Sequence, residues 1–276
     1  VTLPAPVVSG ASYTFNGLES GTYVLLFRDA NGCEISETEA VGTVARPVID
    51  IAVNPAYCVG QSITLTPTVT TAGALASGVT YTWVVGTTTL TGPSGSVAGG
   101  TYTISSVSGI TPPTLTLSNV SAGSYSITLQ VRGPGSCDLD VTENVVVNPL
   151  PQADFTVKNI SCFGGNDGTL EVVGSPAGSG PFSYQLIRNS DNAVIQTVTS
   201  GNFAGLIAGV YRVRITNTAS TCVFETGTYT LIQPTALSVG GVTSTPTSCG
   251  VTDNGSIGLT VSGGSAPYTY VSATRG

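Results

Sequence analysis

Three segments share one pattern: Leu18-Glu19-Ser20-Gly21-Thr22-Tyr23, Val120-Ser121-Ala122-Gly123-Ser124-Tyr125 and Leu206-Ile207-Ala208-Gly209-Val210-Tyr211. Each runs into an alternating strand and then a cysteine. The steps from Tyr23 to Tyr125 to Tyr211 are matched almost residue for residue by those between the cysteines that follow, Cys33, Cys137 and Cys222. A whole unit therefore repeats, and the chain reads as a tandem array.

Within the repeats, Tyr23-Val24-Leu25-Leu26-Phe27, Tyr81-Thr82-Trp83-Val84-Val85, Tyr125 to Val131 and Tyr211 to Ile215 are rich in β-branched and aromatic residues with period two. Glycine and proline interrupt every longer run, so no clean helical stripe forms. The expected fold class is all-β, a series of tandem immunoglobulin-like β-sandwich domains arranged as a rod or filament. Strands that end in proline mark the linkers: Val44 to Pro47, Val146 to Pro149 and Leu231 to Pro234. Proline removes a backbone donor and fixes φ, which stops the strand and stiffens the step to the next unit. The divisions are 1–46, the C-terminal part of a repeat; 47–149, complete; 150–235, complete; and 236–276, the N-terminal part of a repeat. The two partial units are complementary. With copies placed end to end, the step from Cys249 to the Cys33 of a following copy equals the step from Cys162 to Cys222. The expected partners are adjoining copies of the same chain, end to end or lateral, joined covalently or by non-covalent completion.

Only 8% of residues are charged, and the net charge is -7 with Lys158 as the one lysine. An average soluble protein carries about 25% charged residues, so the surface here must be hydroxyl-rich. A basic patch for phosphate neutralisation is missing, which argues against nucleic acid as a partner. Apolar runs stay far below the roughly 18 residues of a membrane span. The N-terminus shows no basic segment leading into an apolar core, so any secretion signal is expected to be removed or to lie upstream.

The six cysteines fall once near the front and once near the back of each repeat, far from the close spacing of zinc or redox sites. Disulfides follow, with Cys58 expected to pair with Cys137 and Cys162 with Cys222. Cys33 and Cys249 would find partners in the adjoining repeat or chain. Such bonds imply an oxidising, extracellular setting; the plain alternative is a set of small buried thiols.

Two further sets of residues have physical roles. The glycine of Leu-x-x-Gly-x-Tyr permits a tight corner. The rings of Tyr23, Tyr125 and Tyr211 pack inside, where each hydroxyl reaches a backbone group as in a tyrosine corner. Trp83, Tyr184 and Tyr270 follow Cys58, Cys162 and Cys249 at closely similar distances on alternating strands, the place of a core aromatic near the disulfide. A solvent-facing ring that stacks on sugar is the sharper reading for one of them.

The front half of the third unit, Cys162-Phe163-Gly164-Gly165-Asn166-Asp167-Gly168-Thr169-Leu170, then Gly180-Pro181-Phe182-Ser183-Tyr184 and Gly205 to Tyr211, resembles the SprB-type repeat of Bacteroidota surface adhesins. Cys249 to Ile257 with Gly264 to Tyr270, and Gly17 to Tyr23 with Asp29 to Cys33, fit the same pattern. The second unit lacks the Asp-Gly after Cys58 and looks more like a PKD-type domain. The resemblance implies a type IX-secreted cell-surface protein, built as an adhesive filament or giant adhesin for gliding motility or attachment, without enzyme activity. A carbohydrate-binding accessory module of a secreted enzyme is the alternative.

Catalysis has little to stand on. No histidine is present, which removes the usual general base and triad member. Asp138 and Asp140 point the same way on a strand, a weak signal for glycosidase chemistry. No cofactor is expected. Asp167 and Asp253 sit in Asn-Asp-Gly and Asp-Asn-Gly turns that are weak candidates for structural calcium, although such dipeptides are also favoured hairpin turns. Lys158 beside Asn159 suits an isopeptide bond, but one lysine serves only one unit.

Overall fold

The computed structural model describes residues 7–9, 12–43, 47–71, 79–107, 111–133, 138–250 and 254–271. The linker residues 44–46, Cys137 and Asp253 lie outside them. Every regular element among the described residues is a β-strand.

The chain opens with β1 (Val7–Ser9), β2 (Ser12–Thr14), β3 (Gly21–Arg28) and β4 (Glu34–Val41), which form two antiparallel hairpins. The first sandwich follows, from β5 (Val48–Ala52), β6 (Ala56–Cys58), β7 (Ile63–Thr71), β8 (Thr80–Val85), β9 (Thr88–Thr89), β10 (Ser94–Val97), β11 (Gly100–Ile104), β12 (Leu115–Ser118), β13 (Gly123–Arg132) and β14 (Leu139–Asn148). The second uses β15 (Asp154–Lys158), β16 (Gly168–Val173), β17 (Phe182–Arg188), β18 (Val194–Val198), β19 (Asn202–Leu206), β20 (Gly209–Asn217), β21 (Val223–Glu225) and β22 (Tyr229–Leu231). A last hairpin, β23 (Ser238–Thr245) with β24 (Ser256–Ser262), closes the order.

In the first sandwich one sheet runs β10-β11-β12-β7-β5 and the other β6-β14-β13-β8-β9. Strand β6 pairs with β14 in parallel, whereas the other pairings are antiparallel. That is the immunoglobulin-like arrangement, in which the opening strand is shared between both sheets. The second sandwich has fewer strands, β15-β16-β19 against β18-β17-β20 with β21 and β22, all paired antiparallel.

Alternation explains why these segments pair as they do. Along β13 the inward residues Ile127, Leu129 and Val131 are buried while their neighbours are not, and β20 repeats this with Tyr211, Val213 and Ile215. Each fully buried aliphatic chain contributes roughly 1.5–3 kcal/mol, so a one-residue slip in register would be costly. Two separate cores result. One holds Trp83, Leu65, Leu115, Leu117, Leu129 and Val145; the other holds Phe155, Leu170, Leu186, Phe203, Tyr211 and Val213. Turn chemistry fixes the hairpins: Ala98 and Gly99, at φ of 53° and 78°, make the two-residue turn between β10 and β11.

The outer hairpins differ in burial. Val24, Leu26 and Ile35 on β3–β4, and Val239, Val242, Ile257 and Leu259 on β23–β24, are exposed, and neither hairpin contributes to either core.

Candidate functional site: the joint between the sandwiches

Cys58 and Cys222 form a disulfide with Cα atoms 5.6 Å apart, across 164 residues of sequence. This corrects the expected pairing of Cys58 with Cys137 and of Cys162 with Cys222. The reason lies in the topology. Cys58 pairs in register with Asn148, the last residue of β14, whereas Cys137 precedes Leu139, the first residue of that strand, by two positions in the sequence. The extended strand between them spans about 30 Å. In the second sandwich Ile160 N donates to Ile232 O, just beyond β22, whereas Cys222 O accepts from Asn217 N at the far end of β20. Cys162 and Cys222, the front and back cysteines of one unit, thus lie at opposite ends of the second sandwich. A front cysteine meets the back cysteine of the next unit instead.

The two halves of the joint are built from short-range bonds. On the first sandwich, Val59 N donates to Asn148 O at 2.9 Å, Asn148 Nδ2 donates to Tyr57 O at 3.2 Å, and Cys58 N donates to Gln61 Oε1 at 2.7 Å. Cys58 is thereby held beside the linker at Pro149. On the second, Asn217 is 5% exposed; its Oδ1 accepts from the amides of Ala219 and Ser220, and its Nδ2 donates to Ser179 O. The turn so formed presents Cys222, which is buried. Gly178 lies against Pro149, where an added Cβ would stand 3.2 Å from Cγ of the proline ring.

Cys162 and Cys33 sit in comparable frames. Cys162 follows Ile160, which donates to Ile232 O, and Gly164 N donates to Gln233 Oε1 at 2.7 Å, so this loop flanks the linker at Pro234 as Cys58 flanks Pro149. Cys33 closes a turn in which Asp29 N donates to Cys33 O at 2.9 Å, while Asp29 Oδ1 accepts from Asn31 N and Cys33 N. This resembles the Asn217–Cys222 turn, one residue shorter and with aspartate in place of asparagine: the first residue's amide donates to the cysteine carbonyl and its side-chain oxygen accepts from the amide two residues on. Cys33, Cys162 and Cys249 are free thiols and exposed.

The Asn-Asp-Gly loop works as a latch. Asp167 accepts from Ser161 N at 3.0 Å and from Ser161 Oγ at 2.6 Å. The Ser161 hydroxyl, then its amide, hold the Asp167 carboxyl below its ordinary pKa. Ser248 and Asn254 repeat the latch in the last hairpin, with Ser248 N donating to Asn254 Oδ1 at 2.9 Å. Gly168 is a packing position, since a Cβ there would lie 2.9 Å from Leu206 O and 2.8 Å from Leu231 Cδ2. Among the described residues no group of three His, Cys, Asp or Glu converges on a metal position.

The hydroxyls of Tyr23, Tyr125 and Tyr211 donate to the carbonyls of Glu19, Ser121 and Ile207, each four residues earlier, at 2.7, 2.8 and 3.1 Å. Trp83 is buried on β8 and its Nε1 donates to Pro113 O at 3.0 Å; Tyr184 is buried on β17 against Phe155. Both lie in the cores. Tyr270 stands apart at 90% exposed, against 4% for Tyr184. Asp138 and Asp140 share Arg132, and Glu225 bridges Arg214 and Arg212; hydrogen bonding to Arg214 is the main cause of the lowered Glu225 pKa.

A cleft of about 500 Å³ opens between Cys162–Phe163 and the last hairpin, lined by Leu237, Val239, Leu259 and Val261 with Tyr268 and Tyr270 at its edge. Sequence reasoning missed it, because the residues that make it come from two different units.

Fold and joint together define a tandem immunoglobulin-like protein whose neighbouring sandwiches are covalently clasped. Residues 155–191 and 241–271 each match the family described as SprB repeat. No curated protein matches the chain. Similar solved structures include a marsupial T cell receptor, at 11% identity and a TM-score of 0.29 over 68% of this chain and 98% of that one. The insect immune protein hemolin gives 15% identity and a TM-score of 0.37 over 77% of this chain and 55% of its own. The Yersinia pseudotuberculosis adhesin InvE gives 14% and 0.26 over 66% of this chain and 58% of its own.

Proposed function

We propose that this chain is a structural and adhesive repeat segment of a secreted bacterial surface filament or giant adhesin, with units at 1–46, 47–149, 150–235 and 236–276. The carrying observation is the Cys58–Cys222 clasp across the Asn148–Pro149 linker, which ties consecutive sandwiches by their ends. A bond placed there transmits tension from module to module and is suited to an oxidising exterior. The two SprB repeat matches support a surface role, and gliding motility and type IX export are the finer form of the same reading. The work is mechanical, and the hydroxyl-rich surface keeps an array with few charges hydrated.

Immunogold electron microscopy on intact cells, with antibodies raised against the 276-residue chain, tests this reading. Decorated fibres outside the envelope are expected. Label confined to the cell interior would overturn it.

One observation favours a second reading. Phe163, Tyr268 and Tyr270 expose their rings around the cleft, as a glycan-stacking platform would. Saturable binding to a glycan array, lost in Tyr270→Ala, would favour a carbohydrate-binding module; an empty array leaves the mechanical role.

A further inference from the structure

The cleft beside Cys162 has the composition of a sandwich interior, and among the described residues no second sheet covers it. Its lining residues Val239, Leu259 and Val261 occupy one face of β23–β24, with Val239 directly opposite Val261. That hairpin corresponds to β15–β16 of the second sandwich, one repeat earlier, where Ile257 and Leu259 align with Leu170 and Val172. In the second sandwich this face is covered by the sheet containing β17 and β20, and Leu170 is fully buried. On β23–β24 the corresponding Ile257 is 75% exposed.

The hairpin β3–β4 has the complementary defect. Tyr23, Leu25 and Phe27 align with Tyr211, Val213 and Ile215, the inward residues of β20, and the Asp29–Cys33 turn shares with the Asn217–Cys222 turn the backbone bond to the cysteine carbonyl and the side-chain oxygen that accepts from the amide two residues on. We propose that β3–β4 of a second copy of this chain seats on the inner face of β23–β24 and that its Cys33 bonds to Cys162. The inference rests on the array reading above and extends the joint already formed by Cys58 and Cys222. Cys58 flanks the linker at Pro149 and takes the turn cysteine of the following unit. Cys162 flanks the linker at Pro234 in the same way, so the turn cysteine of the unit that begins there is the one delivered to it.

The bond needs a two-electron oxidant, and a small-molecule disulfide supplies it by exchange. Cys162 thiolate attacks the oxidant and expels one thiolate; Cys33 thiolate then attacks Cys162 Sγ in the mixed disulfide and expels the other. Two protons leave the cysteines, the oxidant is reduced to two thiols, and the Cys162–Cys33 bond remains.

The test mixes unlabelled and ¹⁵N-labelled full chains carrying Cys249→Ser, in a buffer of oxidised and reduced glutathione, followed by digestion without reduction and mass spectrometry. Peptide pairs joining Cys162 of one isotope to Cys33 of the other are expected, and Cys162→Ser or Cys33→Ser abolishes the covalent oligomers. Leu259→Arg, at an exposed position, lowers the yield at least about tenfold because the seated hairpin would bury an unpaired charge. Homotypic Cys162–Cys162 or Cys33–Cys33 bonds, Cys33 bound to Cys249 in the unsubstituted chain, or an unchanged yield in Leu259→Arg would overturn the proposal. Light scattering under reductant separates the two ideas. End-to-end association without a Cys162–Cys33 pair sinks the clasp and leaves the array, whereas monomers with and without reductant sink the clasp together with the non-covalent form of the array.

Discussion

Pulling on the ends of the chain places Cys58–Cys222 in the path of the load, and the bond divides each sandwich into a part that bears tension and a part that does not. From the N-terminal side, force peels β5 from β7 and then reaches Cys58. It crosses to Cys222 and leaves through β21 and β22, which pair with β20. The stretch from Cys58 to Cys222, a sequence separation of 164 that includes nearly all of both cores, is bypassed. At about 3.5 Å per residue it holds about 570 Å of contour length, while roughly a dozen residues on either side of the bond release about 80 Å together. Single-molecule force spectroscopy under oxidising conditions should therefore show only short extensions from these two sandwiches. Adding a reductant, or substituting Cys58→Ser, should restore the whole bypassed length in two large unfolding steps. Large steps in the oxidised chain, or a Cys58→Ser trace that matches the parent, would refute the reasoning.

Gly168→Ala drives a methyl into Leu206 O and Leu231, and should lower the stability of the second sandwich by about 1–3 kcal/mol in urea titrations while leaving the first unchanged. Tyr211→Phe removes the hydroxyl donated to Ile207 O and should cost about 0.5–1.5 kcal/mol by the same measurement. Trp83→Phe leaves Pro113 O without its donor and opens space in the first core, at about 1–3 kcal/mol, with the circular dichroism melt as readout. The pKa of Asp167 is depressed in the folded chain, so its latch is intact above the ordinary aspartate range and is lost only as pH falls below about 3.9 and through the lower folded value. The hydrogen-exchange protection factor of the Ser161 amide, taken against the intrinsic rate at each pH, should fall across that acidic window and stay constant above it.

The all-β class was legible because it rests on local alternation, as in Tyr125 to Val131, and on glycines that end each run. The tyrosine corner is equally short-range, with donor and acceptor four residues apart. The cysteine partners were not legible, and the period itself explains why. Equal spacing of Cys162–Cys222 and Cys249–Cys33 is kept by any pairing rule that respects the repeat, whether within a unit or to the next. Deciding between them requires knowing that Cys58 lies at the Asn148 end of β14 and not at the Leu139 end. That follows from the parallel pairing of β6 with β14, which no local pattern encodes. The cleft beside Cys162 was hidden for a similar reason, since Phe163 and Leu259 meet only through the placement of the last hairpin.

The clasp also imposes an order of events. Its two sulfurs are presented on finished sandwich ends, and Cys222 emerges 164 residues after Cys58 during synthesis. Cys58 must therefore persist as a thiol while its own sandwich matures and until its neighbour has folded. Oxidation arriving too early would favour sequence neighbours such as Cys137 and Cys162 over the distant native partner. Timing of the oxidant, more than its strength, governs how many molecules reach the correctly linked form.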